Sequence, residues 1–570
     1  MLIYMKNYYL YLLFFLTIVC SNVSNAQQLD RKAFEQTIHK AIEKSYAASV
    51  RIWPIDSVTK IQNNAQFSGV VVDTAGHILT AAHAILPGEM YKVTFPDGKE
   101  FTGVGLGRMA YDPNGGRPDL GMIKIVDKGK WPYAEMGWSF NLKINEPCIS
   151  IAYPLTLNQS FPTIRVGRIT NPLNNWGFIQ STCKMEPGDS GGPLFDYKGR
   201  LIGIHSRIDL PEDINHEIPV DLFRKYWTAL TIKKDYASTP ETTNKFDANL
   251  PESTVNPFMG LENIKNEFVD FETPFKDNSL VIKSLVKGRD KQILGTLFFL
   301  NVKATAGKNK SRSFIVSKSS EVGDSISVYF GNRKLAATII SRKKENDLVL
   351  LQLKEELKSG LQLSSFNDAP FADRADLGKF LISIIPNRQN EISALSSGYF
   401  DIAGNFSSGN LGISTTFVNG RVLLTRINPN GSAAKARLVF NDQITGINNV
   451  KIESLAQYDR EVMKYAPGDL ITLQGIREGV AFSLPLTLAA QPAIADHPAY
   501  RFTGGRSFRC DGFNGVFAHD ALLRPKDCGG PVFDLSGKLY GINIARFSRT
   551  AVLALSSKAI YNFITSVVSI

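Results

Sequence analysis

Two passages of this 570-residue chain repeat one phrase without a gap, KMEPGDSGGPLFDYKGRLIGIHSRI near residue 190 and LLRPKDCGGPVFDLSGKLYGINIARF near residue 528. The echo extends upstream in the same order: GHILTAAHAI pairs with RSFIVSKSSEV, RPDLGMIKI with ENDLVLLQL, and CISIAYP with KFLISIIPN. Each copy also closes on a helical run, PVDLFRKYW in one and SSKAIYNFI in the other. Internal duplication is the simplest account, and it fixes the layout of the whole chain, because a repeat buries its own core and must fold as a unit. The paired runs are short, rich in β-branched residues and bounded by turn signals, a pattern of all-β barrels or sandwiches.

The chain divides at 1–26, 30–232, 233–262, 263–404, 405–491 and 492–570. In the first piece Lys6 supplies a thin positive region, YYLYLLFFLTIVC an apolar run, and Ser24-Asn25-Ala26 a cleavage-site pattern, so 1–26 reads as a signal peptide. A lipoprotein signal ending at Cys20 is the alternative, disfavoured by bulky Val19. The apolar run is too short to span a membrane and no later run is long enough, so export to the periplasm or medium is expected. A helix pattern covers DRKAFEQTIHKAIEKSYAA. The polar, Thr- and Pro-containing 233–262 reads as a linker. In 405–491, strands alternate with the helical stretches SAAKAR and LAQYDREVMKYA, which marks an α+β module inserted into the second repeat. Four cysteines in a mature chain of this length make no disulfide scaffold, and no Cys/His cluster suggests a metal or other cofactor. The +11 formal charge comes with no basic run or base-stacking motif, so a nucleic-acid partner is not expected.

Acyl transfer from a peptide needs a nucleophile, a general base, a group that orients the base, and an oxyanion site. The first repeat offers Ser190 in GDSGGP, His83 at the end of ILTAAH, Asp119 entering an apolar strand, and the amides of Gly188 and Ser190. These motifs, in the order His, Asp, Ser, resemble the chymotrypsin-fold serine peptidases. With the inserted module they are most similar to the HtrA (Deg) group. The resemblance implies a mainly β, chymotrypsin-like double barrel, here duplicated, and a serine endopeptidase acting on protein or peptide substrates. A catalytically inactive peptide-binding or scaffold protein of the same fold is the other reading. One departure concerns Asp189: many HtrA-like members carry Asn there, while members with Asp use it to receive a new N-terminal amine after cleavage. This chain shows no activation sequence, so whether the oxyanion loop is pre-formed is left open. His205, fifteen residues beyond Ser190, resembles the histidine with which glutamyl endopeptidases bind an acidic P1 side chain. His205 with Lys184 is therefore the expected S1 specificity pair, although Met185 stands where that group has a hydroxyl residue.

NLGI, INPNGSAAKARLVFNDQITGINN and PGDLITLQGIREG resemble a PDZ domain, which implies that Leu411, Gly412 and Ile413 grip peptide C-termini and that the next strand pairs with the ligand. The second repeat keeps Asp347, but Ser320 falls where His83 should be, Lys526 replaces Gly188, and Cys528 replaces Ser190. It reads as a degenerate protease lobe. A redox-sensitive thiol, a Cys510–Cys528 bridge, or a cysteine protease using His497 or His519 are the alternatives for Cys528.

Overall fold

The computed structural model describes residues 31–241, 275–362 and 374–568, apart from 60, 63–65, 115, 304–308, 358 and 493–496. The expected signal peptide and most of the linker lie outside the described residues. A first helix, α1 (Arg31–Ser45), buries Phe34, Ile38, Ala41 and Ile42. Twelve strands follow: β1 (Ser49–Ile55), β2 (Phe67–Val71), β3 (His77–Ala81), β4 (Met90–Thr94), β5 (Glu100–Met109), β6 (Leu120–Ile125), β7 (Pro147–Ala152), β8 (Thr163–Asn171), β9 (Ile179–Ser181), β10 (Pro193–Asp196), β11 (Leu201–Ile208) and β12 (Asn215–Pro219). They close into two barrels, ordered β1-β2-β3-β6-β5-β4 and β10-β11-β12-β9-β8-β7.

The second lobe repeats this connectivity. Its strands are β13 (Ser279–Val286), β14 (Arg289–Lys303), β15 (Asn309–Lys318), β16 (Asp324–Phe330), β17 (Arg333–Lys343), β18 (Leu348–Leu353), β19 (Leu361–Gln362), β20 (Phe380–Ser383), β21 (Glu391–Ala394) and β22 (Phe400–Ile402). Six of them, β13-β16-β17-β18-β15-β14, form a ring closed by the β13–β14 pairing, in the same order as the first barrel of the first lobe. Six strands of the inserted module come next: β23 (Ile413–Val418), β24 (Arg421–Ile427), β25 (Gln443–Ile447), β26 (Val450–Lys451), β27 (Leu470–Arg477) and β28 (Val480–Thr487). The lobe resumes with β29 (Phe513–His519), β30 (Pro531–Asp534), β31 (Leu539–Arg546) and β32 (Val552–Ser556), and ends on a helix, Ser557–Val567. The resulting sheet, β21-β20-β30-β31-β32-β29-β22, differs from its counterpart in one respect. The single strand β8 bridges β7 and β9 in the first lobe, whereas β21 and β22 divide that task in the second. The module enters between β22 and β29, the place of the β8–β9 turn.

The two lobes share one continuous apolar core rather than sitting as separate bodies. Phe34 of α1 stacks on Phe380 of the second lobe at 5.4 Å between ring centroids, and Glu35 accepts the Phe380 amide at 2.7 Å. The module has its own core of Leu411, Val422, Leu424, Ile444, Ile471 and Leu473 with their neighbours.

Candidate active site

The last residue of β3 feeds a single helical turn, Ala82–Ala84, which carries His83 to the edge of a cleft. Asp119 holds this turn from below. Its Oδ1 accepts the His83 amide at 3.0 Å and its Oδ2 lies 2.8 Å from His83 Nδ1. A third donor, unforeseen in the sequence, is Ser206 Oγ at 2.7 Å from Oδ2. Asp119 is fully buried. Burial pushes its carboxyl upward, but the His83 and Ser206 contacts outweigh this and leave it below the usual carboxylate range. The geometry fixes Nδ1 as the proton-bearing nitrogen and leaves Nε2 to face the cleft, which Ser190 also lines.

The loop before Ser190 depends on one glycine. Gly188 has φ 99°, and a Cβ there would stand 2.5 Å from the Tyr153 carbonyl oxygen and 2.6 Å from the Leu155 nitrogen. Around it the amides of Asp189, Gly191 and Gly192 are bonded to Glu186, His205 and Asp189 oxygens. Those of Gly188 and Ser190 have no hydrogen-bond partner among the described residues. Two unpaired amides beside a hydroxyl nucleophile are what a developing oxyanion requires.

Asp189 is not waiting for an amine. Arg165, reaching in from β8, grips it through two bonds of 2.8 and 3.0 Å, with both side chains buried. Burial pushes the Asp189 carboxyl up, and the guanidinium opposes that shift. Asp189 Oδ2 also accepts the Glu186 amide at 2.9 Å, so the ion pair is tied to the bend of the loop itself. The question left open by the sequence therefore has a structural answer, an internal cation in place of a new terminus. The strand β8 carries two arginines, Arg165 and Arg168, and nothing local in the sequence marks which of them turns inward.

The structure does not bring the expected S1 pair to the cleft. His205 points inward, with Nε2 2.7 Å from Ser150 Oγ and Nδ1 3.5 Å from Glu217 Oε1. Burial, with Arg165 nearby, lowers its pKa to about 3, so the imidazole is neutral at physiological pH. Lys184 is buried as well, its Nζ bonded to the Asp520 carbonyl of the second lobe, and burial lowers its pKa to about 8. The cleft wall is instead formed by Met185, Glu186, Pro187 and the strand Ser206–Ile208, enclosing about 490 Å³. His497 and Pro498 of the second lobe complete its rim.

The second lobe repeats the scaffold with other residues at the equivalent positions. Ser320 stands on the equivalent turn, its amide 2.7 Å from Asp347 Oδ1 and its Oγ 2.7 Å from Oδ2. Buried Lys318 pairs with the same carboxylate at 2.6 Å. At the nucleophile loop, Lys526 replaces the glycine, and the segment Pro525–Asp527 folds into a tight helical turn. The Cys528 amide is consequently spent on the Pro525 carbonyl at 3.2 Å. His519 is bonded to Asn543 and Ser393, and His497 lines the other lobe's cleft. The four cysteines among the described residues are free thiols; Cys510 rests on Ser407 and Cys528 on Ser507. Burial drives the Cys528 thiol up to about 11, although Lys318 and Ser507 pull it down. Cys528 is therefore expected to resist iodoacetamide in the folded protein at neutral pH and to react only on denaturation. Peptide mass mapping of the alkylated chain checks this, and rapid labelling of the native protein would contradict it.

In the module, β23 is an edge strand, paired on one side with β24, and the helix Leu455–Val462 lies against it. Leu411 is in the module core, Gly412 adopts φ 74°, and Ile413 begins the edge strand. The Gly412 amide is engaged by Asn410 Oδ1 at 2.7 Å, and its carbonyl accepts the Asn428 amide at 2.7 Å. Among the described residues no group of His, Cys, Asp and Glu is arranged to hold a metal ion, and no helix is long and apolar enough to cross a membrane.

Comparison with known proteins places two domain types on the chain. The trypsin-like peptidase domain model matches residues 67–204, and the PDZ domain model matches residues 409–488. A putative serine protease HhoA of Synechocystis is 32% identical over 168 residues, covering 27% of this chain and 40% of the relative. A probable periplasmic serine endoprotease DegP-like of Bartonella henselae is 30% identical over 182 residues, covering 31% of this chain and 33% of the relative. The match therefore spans well under half the length of these two relatives. A DegP-like protein of Hahella chejuensis, also named a probable periplasmic serine endoprotease, is 23% identical over 421 residues, covering 72% of this chain and 78% of the relative.

Proposed function

We propose that this chain, an HtrA-like protein that joins a trypsin-type peptidase fold to a PDZ domain, is an exported serine endopeptidase whose chemistry resides wholly in the first lobe. Ser190 Oγ attacks the scissile carbonyl while His83 Nε2 takes its proton. Asp119, bonded to Nδ1, fixes the tautomer and stabilises the imidazolium that forms. The Gly188 and Ser190 amides receive the oxyanion. His83 then gives the proton to the leaving amine, and water repeats the sequence on the acyl-enzyme, returning Ser190 and releasing the acid.

The observation that carries the reading is the contrast between the two nucleophile loops. Ser190 shares its cleft with His83, whose Nδ1 is held by the Asp119 carboxylate, and lies in a loop with two amides unpaired among the described residues. Cys528 has a buried thiol bonded to Ser507, no hydrogen bond to an imidazole among the described residues, and a spent amide. The second lobe is accordingly a pseudoprotease lobe. The PDZ domain is proposed to take peptide C-termini along the β23 edge, with Leu411, Gly412 and Ile413 as the gripping loop. The names of the relatives, which are called periplasmic, support an exported setting.

The test is covalent labelling of the purified mature protein by a fluorophosphonate probe, with casein hydrolysis in parallel. Labelling at Ser190 with hydrolysis is expected. Absence of both would overturn the endopeptidase reading in favour of an inert binding protein.

A further inference from the structure

The loop that joins β11 to β12 borders the cleft wall Ser206–Ile208, and the second lobe holds it from outside. Arg546 donates to Glu212 Oε2 at 2.7 Å, and the Thr503 amide donates to Oε1. Arg549 donates to the Asp209 carbonyl at 2.8 Å and to the Pro211 carbonyl at 2.9 Å. Arg546 is fully buried, and Glu212 nearly so.

The position of Arg546 gives these contacts their meaning. In the aligned repeats it stands where Ile208 stands in the first lobe, at the substrate-facing end of the strand beside the nucleophile loop. Its amide donates to Ser507 Oγ at 2.9 Å, and that same oxygen touches Cys528 Sγ at 3.8 Å. Arg546 thus fills the second lobe's own would-be cleft and presents its guanidinium outward to the first lobe. One further bond ties the lobes just before the opposite wall of that cleft: Lys184 Nζ, next to the lining residue Met185, donates to the Asp520 carbonyl.

We propose that the degenerate cleft of the second lobe has become an intramolecular docking socket for the 209–212 loop of the first, and that its occupancy sets the shape of the first lobe's substrate cleft. This rests on the reading of that cleft as the substrate site. The ligand of the dead site is a segment of the same chain, recognised by its carboxylate at Glu212 and its carbonyls at 209 and 211. Arg546 and Arg549 are positioning residues for the S1-side walls, and His497 and Pro498 add a rim that the first lobe lacks on its own. Loss of Arg546 leaves Glu212 buried without its cation, and loss of Glu212 does the reverse. Either disengages the loop, because a buried charge without its partner is driven toward water.

The experiment is hydrogen–deuterium exchange on the full-length Ser190→Ala protein, where no hydrolysis interferes. Arg546→Gln is expected to speed exchange about tenfold or more in peptides covering 205–216 and 184–188, while the module and the distant barrel stay unchanged. Glu212→Gln is expected to act on the same peptides. The double variant should add little to either single change, because both remove one contact. Arg477→Gln, which breaks an ion pair with Asp442 inside the module, is the control and leaves those peptides untouched. Unaltered exchange at 205–216 and 184–188 in Arg546→Gln and Glu212→Gln would overturn the proposal. Should Arg546→Gln fail to fold, Glu212→Gln alone decides, since it alters only a loop. A protected loop that opens on mutation, while the chain with Ser190 intact neither labels with fluorophosphonate nor hydrolyses casein, would leave the docking intact and remove the endopeptidase reading.

Discussion

Ser190→Ala is expected to lower kcat by about 10⁶-fold, with any residue of rate coming from the oxyanion amides and binding. The size follows from how the site is built. In the proposed mechanism the hydroxyl, the imidazole and the carboxylate act as one unit, so removing the nucleophile forfeits the covalent route entirely, and His83→Ala should cost a similar amount. Ser190→Ala leaves the fold's contacts in place, because the Ser190 carbonyl that accepts the Ser68 amide at 2.9 Å is kept by alanine. Thermal unfolding should therefore be unchanged while fluorophosphonate labelling and casein hydrolysis vanish. Hydrolysis that survives Ser190→Ala and disappears in Cys528→Ala would exchange the roles of the two lobes.

The second large effect is expected at Arg165, which touches no substrate. Arg165→Met removes the cation from a carboxylate that has no access to water and that anchors the bend at Glu186. Breaking a buried pair on one side costs about 3–5 kcal/mol. Part of that cost is expected as a lower melting temperature. The rest is expected as a disordered oxyanion loop, which escapes the penalty by letting Asp189 turn toward solvent and takes the Gly188 and Ser190 amides with it. Loss of an oxyanion donor lowers kcat by about 10²–10³-fold, so the expected signature is a fall in kcat larger than any rise in KM. Arg165→Met with Asp189→Asn should recover stability, because both charges are gone. Full activity in Arg165→Met would mean that the loop is held without the ion pair.

Much of the candidate site's geometry is legible in the sequence because it is local. His83 and its turn, Asp119 at a strand entrance, and the glycine-bearing loop before Ser190 are each written within a few residues. The duplication was legible for the same reason. His205 shows where this reading stops. Spacing put it on the right strand, but successive side chains of a strand face opposite sides. Ser206, its neighbour, turns to Asp119, while His205 turns into the barrel toward Ser150 and Glu217. Arg165 escaped notice because its partner lies 24 residues away, across a barrel. The contacts between the lobes escaped entirely: Arg546 and Glu212 are 334 residues apart, and nothing local to either announces the other.

The first helix carries a consequence for biosynthesis. It is made before any strand of the first lobe, yet the amide that its Glu35 receives belongs to Phe380, 345 residues later. A chain emerging from a ribosome or a translocation pore holds Phe34 and Ile38 uncovered until most of the second lobe has followed, and long closures of this kind form late. Ordering of the α1 segment thus serves as a completion mark. Nascent fragments ending before residue 374 are expected to present its apolar face to chaperones, and dye binding or crosslinking of such fragments would read this directly. A first lobe assembled in this order stays unfinished until the second lobe that covers its leading helix has been made.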